Sequence, residues 1–279
     1  MKGRNKAQLA KDLGISRQLL YYDHKQPSKD WKLKVEIEKI LRDNPSYGHK
    51  RLAIHLGIGK SKVLRVMKLF GIKPYRRRAK KFKYIKQKKD KIFNNLLFDN
   101  QPLYPNHIWV SDFTHIAKYN SKWVYLATIL DLYTRKIVGF SILMNHSTQL
   151  VIDALLMAVF NDNLPKIIHS DQGSEYASKD YANLCKNLSI QQSMSNPGCP
   201  WENGYQESFY GKFKIDLADT SRFGTLGELG YNIYRQVYYY NNSRIHSSLD
   251  MAPIQYEKQY NLDNMIFKQK VNSLNALSV

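Results

Sequence analysis

The hydrophobic pattern of this chain changes near residue 106, and this change constrains the fold more than any other feature. The segment HIWVSDFTHIAKY alternates, and one face of the predicted strand carries Ile108, Val110, Asp112, Thr114 and Ile116. Two more strands follow in KWVYLATILDLY and RKIVGFSILM, most simply as antiparallel neighbours. After them come a helix in STQLVIDALLMAVF, a strand in KIIHSD, a helix near YASKDYANLCKNL, a strand in IQQSMS and a helix starting near Asn203. This order predicts an α/β domain whose mixed sheet has helices on both faces.

A weak internal repeat precedes this domain. The same steps of four and then six positions separate Ala10, Gly14 and Leu20, and also Ala53, Gly57 and Val63. A small residue, a turn glycine and an aliphatic residue at this spacing are typical of a helix-turn-helix, so residues 1–72 are predicted to hold two such units. Their second helices carry Arg17, or Lys60 and Lys62, which can enter a major groove. Plain helix packing units share this spacing, but the surrounding charge favours contact with DNA.

The net positive charge of the chain lies in its first third. Residues 1–98 contain 28 Lys and Arg against 7 Asp and Glu, whereas the remaining residues contain 15 against 16. A basic block of this kind suits a polyanion, because each phosphate that Lys or Arg neutralises releases condensed counterions. Anionic lipid is the weaker alternative, since no amphipathic anchor accompanies the charge. Double-stranded DNA is therefore the expected partner.

The most basic stretch is predicted to be a linker. Residues 73–91, KPYRRRAKKFKYIKQKKDK, include eleven Lys or Arg with interleaved aromatic residues. A charge run is usually a solvated linker. This one lies between the helix-turn-helix region and the predicted α/β domain, and that position favours contact with the DNA backbone. The residues expected to make that contact are Arg76, Arg77, Arg78, Lys80 and Lys81.

Several protein classes are excluded by what the sequence lacks. No segment approaches the ~20 apolar residues of a membrane span, and MKGRNKAQLAKDLG has no apolar signal-peptide region. The only cysteines, Cys185 and Cys199, are expected to be reduced thiols, which excludes a zinc finger built on several cysteines. We expect a cytoplasmic, nucleoid-associated protein.

Three carboxylates are candidates for a metal site. Asp112 lies in the middle of the first strand, Asp171 ends the short strand IIHSD, and Glu207 lies on the helix in ENGYQESFYGKFK. Phosphodiester cleavage and strand transfer are well served by two divalent cations about 3.5 to 4 Å apart, and Mg²⁺ requires hard oxygen ligands. Taken singly, the three acids have ordinary structural explanations as an edge-strand charge, a turn residue and a solvated helix position. Together they are more specific, because 35 residues separate Asp171 from Glu207 and an equivalent acid lies on the first strand.

These motifs resemble the second-frame transposases of the IS3 family of insertion sequences. The resemblance covers roughly residues 45–258 and is carried by WVSDFTHI, DLYTRKIVGFS, HSDQGSEY, SNPGCPWENGYQESFYGKFK and YYNNSRIHSSLDMAP. It implies a ribonuclease H-like, retroviral-integrase-type core with Asp112, Asp171 and Glu207 as catalytic metal ligands for two Mg²⁺ or Mn²⁺ ions. It also implies action on inverted-repeat ends and target DNA, a homo-oligomer on DNA, and a possible partner or fusion from an upstream frame.

The same resemblance assigns residues around the glutamate. The family has a basic residue seven positions after the glutamate, which is Lys214 here, two helical turns along the same face. Asn203, four positions before Glu207, matches its N-x-x-x-E element, and Lys212 is added to the expected DNA contacts. Arg244 with His246 matches an R-x-H element that is structural or contacts DNA.

Some positions depart from the family pattern. Gly204 and Tyr205 stand where a small alanine-like residue is frequent, and Glu175 stands where polar uncharged residues are common. We expect Glu175 to be a loop acid that faces water rather than a fourth carboxylate at the metals. His107, His115 and His169 lie near the acids, but core or hydrogen-bonded histidines are the default interpretation. The chain lacks the His/Cys zinc module of retroviral integrases, which favours the bacterial branch.

The predicted organisation has four parts. Residues 1–72 form the helix-turn-helix region, 73–98 the basic linker, 99–225 the catalytic core, and 226–279 a C-terminal helical element and tail. The C-terminal helix is expected to end near Asn241 and Asn242, with a polar tail after about residue 260. Two alternatives are a ribonuclease H-type nuclease that never joins DNA, and a DNA-binding regulator with an inactive integrase-like domain.

Overall fold

The computed structural model of the protein describes residues 6–18, 25–76, 93–196 and 199–276. Four helices precede the sheet in these ranges: α1 (Lys6–Asp12), α2 (Lys25–Asp43), α3 (His49–Leu56) and α4 (Lys60–Leu69). The expected DNA contacts Arg77, Arg78, Lys80 and Lys81 lie outside the described residues, as does Leu20 of the first repeat.

The second repeat forms a helix-turn-helix. Gly57 ends α3 with a φ of 62°, a left-handed conformation that favours glycine, and its N–H bonds back to the carbonyls of Ala53 and Ile54. Ala53 and Val63 are buried where α3 meets α4. The unit also includes α2, which the repeat did not predict: Leu33 and Ile37 join the same small core. Three helices therefore bury one apolar cluster between residues 25 and 72.

A five-stranded sheet carries Asp112 and leads directly into Asp171. Its strands are β1 (Ile108–Tyr119), β2 (Lys122–Asp131), β3 (Ile137–Leu143), β4 (Ile167–Ser170) and β5 (Gln191–Met194), in the spatial order β3-β2-β1-β4-β5. β1, β2 and β3 are antiparallel neighbours, and β4 and β5 run parallel to β1. The predicted mixed sheet is confirmed, with β1 in its centre.

Helices cover both faces of the sheet, as the pattern predicted. The helices that cover the sheet are α5 (Thr148–Asn161), α6 (Lys179–Asn187), α7 (Gly204–Leu217) and α8 (Leu226–Asn242), and α9 (Pro253–Ala276) follows them in the chain. One core packs α7 and α8 against the face that carries Val110 and Leu126, and a second core packs α5 and α6 against the face that carries Trp109 and Ile129. Alternate residues of β1 and β2 thus enter opposite cores, as the period of a strand requires.

The C-terminal segment differs from its prediction. Instead of a polar tail after residue 260, α9 continues to Ala276. Proline at its first position suits a helix start, and Gln, Glu, Lys, Leu and Met favour helix without an apolar stripe. Its first turns are anchored, because Tyr256 and Tyr260 pack on Tyr133 and Glu257 bonds to Lys136 at 3.0 Å. Most of its described side chains, from residue 253 to residue 269, are exposed, so the period of apolar residues could not reveal this helix.

Among the helices in the described ranges, none is both long and apolar enough to cross a membrane.

Candidate active site

The register of the sheet brings two of the predicted acids side by side. β1 and β4 are parallel, and Val110 pairs with His169. Asp112 lies two residues beyond Val110, and Asp171 lies two residues beyond His169, immediately after β4 ends. Neighbouring parallel strands therefore present both carboxylates at one level, where β4 gives way to a loop.

Asp112 is half-buried and electrostatically unfavourable as an anion. Its Oδ1 accepts a hydrogen bond of 2.8 Å from the backbone N–H of Phe113. Burial, followed by the negative charges of Asp171 and Glu207, raises the pKa of Asp112 to about 8, although the Phe113 hydrogen bond and Lys214 oppose that shift. A carboxylate in this position is stabilised by added positive charge.

Asp171 begins a tight loop. Its Oδ1 accepts a 3.0 Å hydrogen bond from the N–H of Gly173, and a Cβ on Gly173 would lie 3.0 Å from that oxygen and 3.2 Å from Oε2 of Glu175. Glycine at this position therefore leaves room for two carboxylates. Desolvation raises the pKa of Asp171, the Gly173 hydrogen bond opposes this, and Glu175 raises the pKa further.

The expectation for Glu175 was wrong. Its side chain is 8% exposed rather than facing water. His146 Nδ1 lies 2.7 Å from its Oε1, and Ser174 donates to its Oε2 at 3.1 Å. Burial alone raises the pKa of Glu175, but these hydrogen bonds outweigh it and hold the pKa below its usual value. A fourth carboxylate thus lies beside Asp171, because the loop folds back toward the start of α5.

Helix α7 carries Glu207 and is fastened to the sheet beside Asp112. Gln206 donates to the carbonyl of Val110 at 2.7 Å and to that of Thr128 at 3.2 Å. The Tyr210 hydroxyl lies 2.6 Å from the carbonyl oxygen of Asp112 and 2.8 Å from the Thr128 hydroxyl. Thr128 is itself the partner of Asp112 across the β1–β2 pair. These bonds fix the position of α7 relative to the first aspartate.

Neither Gln206 nor Tyr210 was singled out from the sequence, although a signal was present. The two polar residues are four positions apart on a helix and lie on the same face as Phe209 and Phe213, which is the face that packs on the sheet. Polar side chains at core positions require hydrogen-bond partners. Their partners are backbone carbonyls of distant strands, which the sequence does not identify.

Glu207 and Lys214 lie on the adjoining edge of α7. Glu207 is exposed, and Lys214 Nζ donates to the Thr114 hydroxyl at 2.6 Å. Since Thr114 is two residues beyond Asp112 on β1, this contact holds the lysine next to the carboxylates. Within the described ranges, no three His, Cys, Asp or Glu side chains are close enough together to hold a metal ion as they stand. The donor set is nevertheless the all-oxygen kind that Mg²⁺ prefers.

The other predicted DNA contacts are scattered. Lys60 and Lys62 are exposed at the start of α4, and Arg17 is exposed after α1. Arg76 and Lys212 line one groove together with Glu207. Asn203 precedes α7 with 5% of its surface exposed, and its buried Oδ1 has no hydrogen-bond partner among the described residues, so it offers little surface to DNA.

The histidines behave as expected for core residues, with one exception. His169 is fully buried with Nδ1 2.8 Å from the Ser193 hydroxyl, and burial lowers its pKa to about 4. His107 is buried against Tyr104, whereas His115 is exposed beside Trp123.

Arg244 of the R-x-H element is structural. It is 2% exposed, and its Nε donates to Asp216 Oδ2 at 2.6 Å. The same guanidinium bonds to Ser46, which joins the α8–α9 connection to the N-terminal helices.

Known proteins match this chain in sequence. Two families, each described as an integrase core domain, match residues 102–200 and 188–253. A 31 kDa protein of insertion element IS600 from Shigella sonnei is 30% identical, over 85% of this chain and 90% of its own length. The transposase of IS904 from Lactococcus lactis is 37% identical, over 55% of this chain, which spans only 62% of that relative. The transposase of IS3A from Escherichia coli is 31% identical, over 56% of this chain and 55% of its own length.

The fold is also that of solved integrases. A chain of the simian T-cell lymphotropic virus intasome in complex with a regulatory subunit of PP2A matches with a TM-score of 0.51 and 20% identity, over 76% of this chain and 70% of that one. At this identity the match supports the ribonuclease H-like fold alone. The sequence relatives extend the likeness from the core to the helices on either side of it. The chain therefore belongs to the IS3 family of insertion-sequence transposases.

Proposed function

We propose that this protein cuts the ends of an insertion sequence and joins them to target DNA, with Asp112, Asp171 and Glu207 as its catalytic residues. The parallel register of β1 and β4 carries the proposal, because it presents Asp112 and Asp171 together beside the helix of Glu207. The adjacent Lys214, which reaches the same strand, also supports the proposal, because a DNA phosphate beside the acids needs a cationic partner.

The donor set fits divalent cations. Burial and two neighbouring carboxylates raise the pKa of Asp112 to about 8, so positive charge at this point stabilises the anionic site. Asp112, Asp171 and Glu207 would hold Mg²⁺ or Mn²⁺, in a pair of ions by the family pattern. When bound, such ions activate the attacking oxygen and stabilise the leaving oxygen of a phosphodiester.

The chain's own residues would orient the substrate. Lys214, held against Thr114, is suited to bind a DNA phosphate beside the carboxylates. Gln206 and Tyr210 keep α7 in register with β1, which limits how far Glu207 departs from Asp112. Hydrolysis at the element end releases a 3′-hydroxyl, and that hydroxyl then displaces a second 3′-hydroxyl from target DNA. Neither displacement needs a covalent link to the protein.

The proposed reaction gives each of the other parts of the chain a role. We assign DNA recognition to residues 1–72, the basic linker to 73–98, catalysis to 99–225, and an accessory helical element to 226–279. Substrates are then inverted-repeat ends and target DNA, handled by a homo-oligomer, with a possible contribution from an upstream reading frame. The protein would work in the bacterial cytoplasm, on the nucleoid.

An end-joining assay tests the proposal. The full chain is incubated with Mg²⁺, a target plasmid and a labelled duplex that carries the terminal inverted repeat of the element. We expect the wild type to join the label to the plasmid, and Asp171→Asn to abolish cleavage and joining while end binding persists. The matched control is Asp180→Asn, an exposed acid on α6.

Each alternative predicts a different product. Hydrolysis without joining by the wild type indicates a ribonuclease H-type nuclease, and binding without cleavage indicates a regulator. Robust strand transfer by Asp171→Asn contradicts the assignment of the acids.

A further inference from the structure

A cleft lined by basic residues crosses the outer side of α7. One part, of about 140 Å³, is bounded by α7 and the α8–α9 connection and is lined by Arg135, Lys212 and Arg244. The other part, of about 580 Å³, opens between α7 and the start of α3, and Glu207 lies on its wall. Ser208, Lys212 and Ser247 line both parts, so the two adjoin each other across these side chains. We call this feature the basic cleft.

The basic side chains of the basic cleft outnumber the acids beside them. Electrostatic interactions connect four of these side chains with one another or with His246, namely Arg51, Arg135, Lys212 and Arg244. Asp216 forms an ion pair with Arg244. Arg51 lines the larger part and is only 9% exposed, and its buried Nη1 has no hydrogen-bond partner among the described residues. The buried Nη1 of Arg135, which lines the smaller part, also lacks one there, and the Arg135 guanidinium stacks over the Tyr205 ring at 4.5 Å. Both nitrogens are buried, so these two arginines contribute positive charge to the cleft rather than accessible donors.

The cations in the cleft repel one another. Burial, then Arg51 and Arg244, lowers the pKa of Lys212 to about 8, and burial with Arg244 lowers the pKa of Arg51. Burying several like charges close together is unfavourable, so an anion in the cleft gains Coulomb energy from all of them and a charge-assisted hydrogen bond from the half-buried Lys212. Ser247 and Ser248 add hydroxyl groups to the same wall. The chemistry therefore selects a tetrahedral oxyanion such as phosphate.

We propose that the basic cleft binds a backbone phosphate of the DNA strand whose reacting end lies at Glu207. This inference rests on the proposed function and adds to it a binding site on the outer side of α7, separate from Lys214 at the carboxylate edge. A phosphodiester is favoured over a free anion because the larger part of the cleft is open to solvent, and the exposed Lys50 and Arg76 also line it. Its lining extends from the start of α3, in the helix-turn-helix unit, to Glu207.

Salt-dependent DNA binding tests this site without catalysis. Binding of a labelled 30-base-pair duplex to the full chain is measured by fluorescence anisotropy at several NaCl concentrations, in EDTA. We expect Lys212→Gln and Arg135→Gln each to lower affinity about threefold to tenfold and to reduce the slope of log K against log salt by about 1, the change for one lost phosphate contact. A duplex in which methylphosphonates replace the contacted phosphates should lower wild-type affinity similarly and leave the variants unaffected.

The matched control is Lys179→Gln, an exposed lysine at the start of α6 on the opposite face of the sheet. It should keep the wild-type affinity and slope. Thermal melts of all variants check folding, and because Lys212 is only half-buried its variant is expected to melt close to the wild type.

Unchanged affinity and slope in both cleft variants would overturn the inference. So would stabilisation of the wild type by inorganic phosphate with no effect of the variants on DNA binding, since the site would then take a free anion. Failure of the proposed function is a separate result: strand transfer would be absent from the wild type while the cleft variants still weakened DNA binding.

Discussion

Asp112 and Asp171 each lie two residues beyond one paired position of the parallel strands β1 and β4, the pair Val110 and His169. Their carboxylates are separated by 58 residues of sequence but stand at one level of the sheet. Helix α7 is bonded to the same level through Tyr210 and the carbonyl of Asp112.

Tyr210→Phe should impair catalysis more than it impairs folding. The phenyl ring keeps the packing of a buried side chain, but the carbonyl of Asp112 and the hydroxyl of Thr128 lose a partner. We expect a stability loss of about 1 to 3 kcal/mol in urea unfolding. Strand transfer well below the melting temperature should fall at least about tenfold, because α7 loses its bond to the backbone of Asp112 and keeps only the bonds of Gln206 and Lys214 to β1. Tyr238→Phe, on the exposed side of α8, is the control and should alter neither quantity.

Lys214→Gln should strengthen metal binding while weakening the reaction. Its ammonium group lies close enough to lower the pKa of Asp112, so it competes electrostatically with a cation at the carboxylates. Calorimetric titration should give an affinity for Mg²⁺ about threefold to tenfold higher than that of the wild type. Strand transfer should nevertheless fall, since a phosphate ligand is lost. Weaker Mg²⁺ binding in the variant would contradict the position of this lysine.

Gly139→Ala should be strongly destabilising. A Cβ at Gly139 on β3 would lie 2.3 Å from the carbonyl oxygen of Ala154 and 2.7 Å from the Cβ of Ala158, both on α5. Backbone atoms cannot yield as a flexible side chain can, so α5 must move away from the sheet. We expect a loss of at least about 2 kcal/mol in the free energy of unfolding.

The matched substitution is Gly230→Ala within α8, where an added Cβ meets nothing within 4 Å. It should stabilise the protein by about 0.5 to 1 kcal/mol, since alanine favours helix. Equal effects of the two substitutions would contradict the close packing of α5 on β3.

His246 should make stability depend on pH. Burial, then Lys212 and three arginines, lowers the pKa of His246 from 6.5 to about 3. Between these two values the unfolded chain binds a proton that the folded chain does not, so stability is lost as pH falls below 6.5. The contribution lost between pH 7.5 and pH 5 is about 2 kcal/mol.

Urea unfolding in a phosphate-free buffer measures this contribution. His246→Asn keeps an acceptor for the Ser248 N–H, which the Nδ1 atom of His246 accepts at 3.3 Å. The variant should lose about 2 kcal/mol less than the wild type over the same pH interval. An identical loss in both proteins would show that His246 is not held neutral.

Local patterns in the sequence determined the succession of strands and helices along the chain, the helix-turn-helix around Gly57 and the spacing of the three candidate acids. Each of these depends on periods of two or 3.6 residues or on a fixed separation along the chain, which the sequence displays directly. The loop acid Glu175 was assigned wrongly because its burial depends on His146, 29 residues away. Helix α9 was missed because a mostly exposed helix needs no apolar stripe.

Only the tertiary structure decided which distant groups meet. Gln206 and Tyr210 gain their roles from carbonyls of β1 and β2, and the basic cleft exists because Arg51 is packed beside α7 and Arg244. Hydrogen bonds and charge interactions act over a few ångströms in space, whatever the separation along the chain. The sequence therefore identified the three candidate acids, whereas the packing of the N-terminal helices against the core determined where the basic cleft lies.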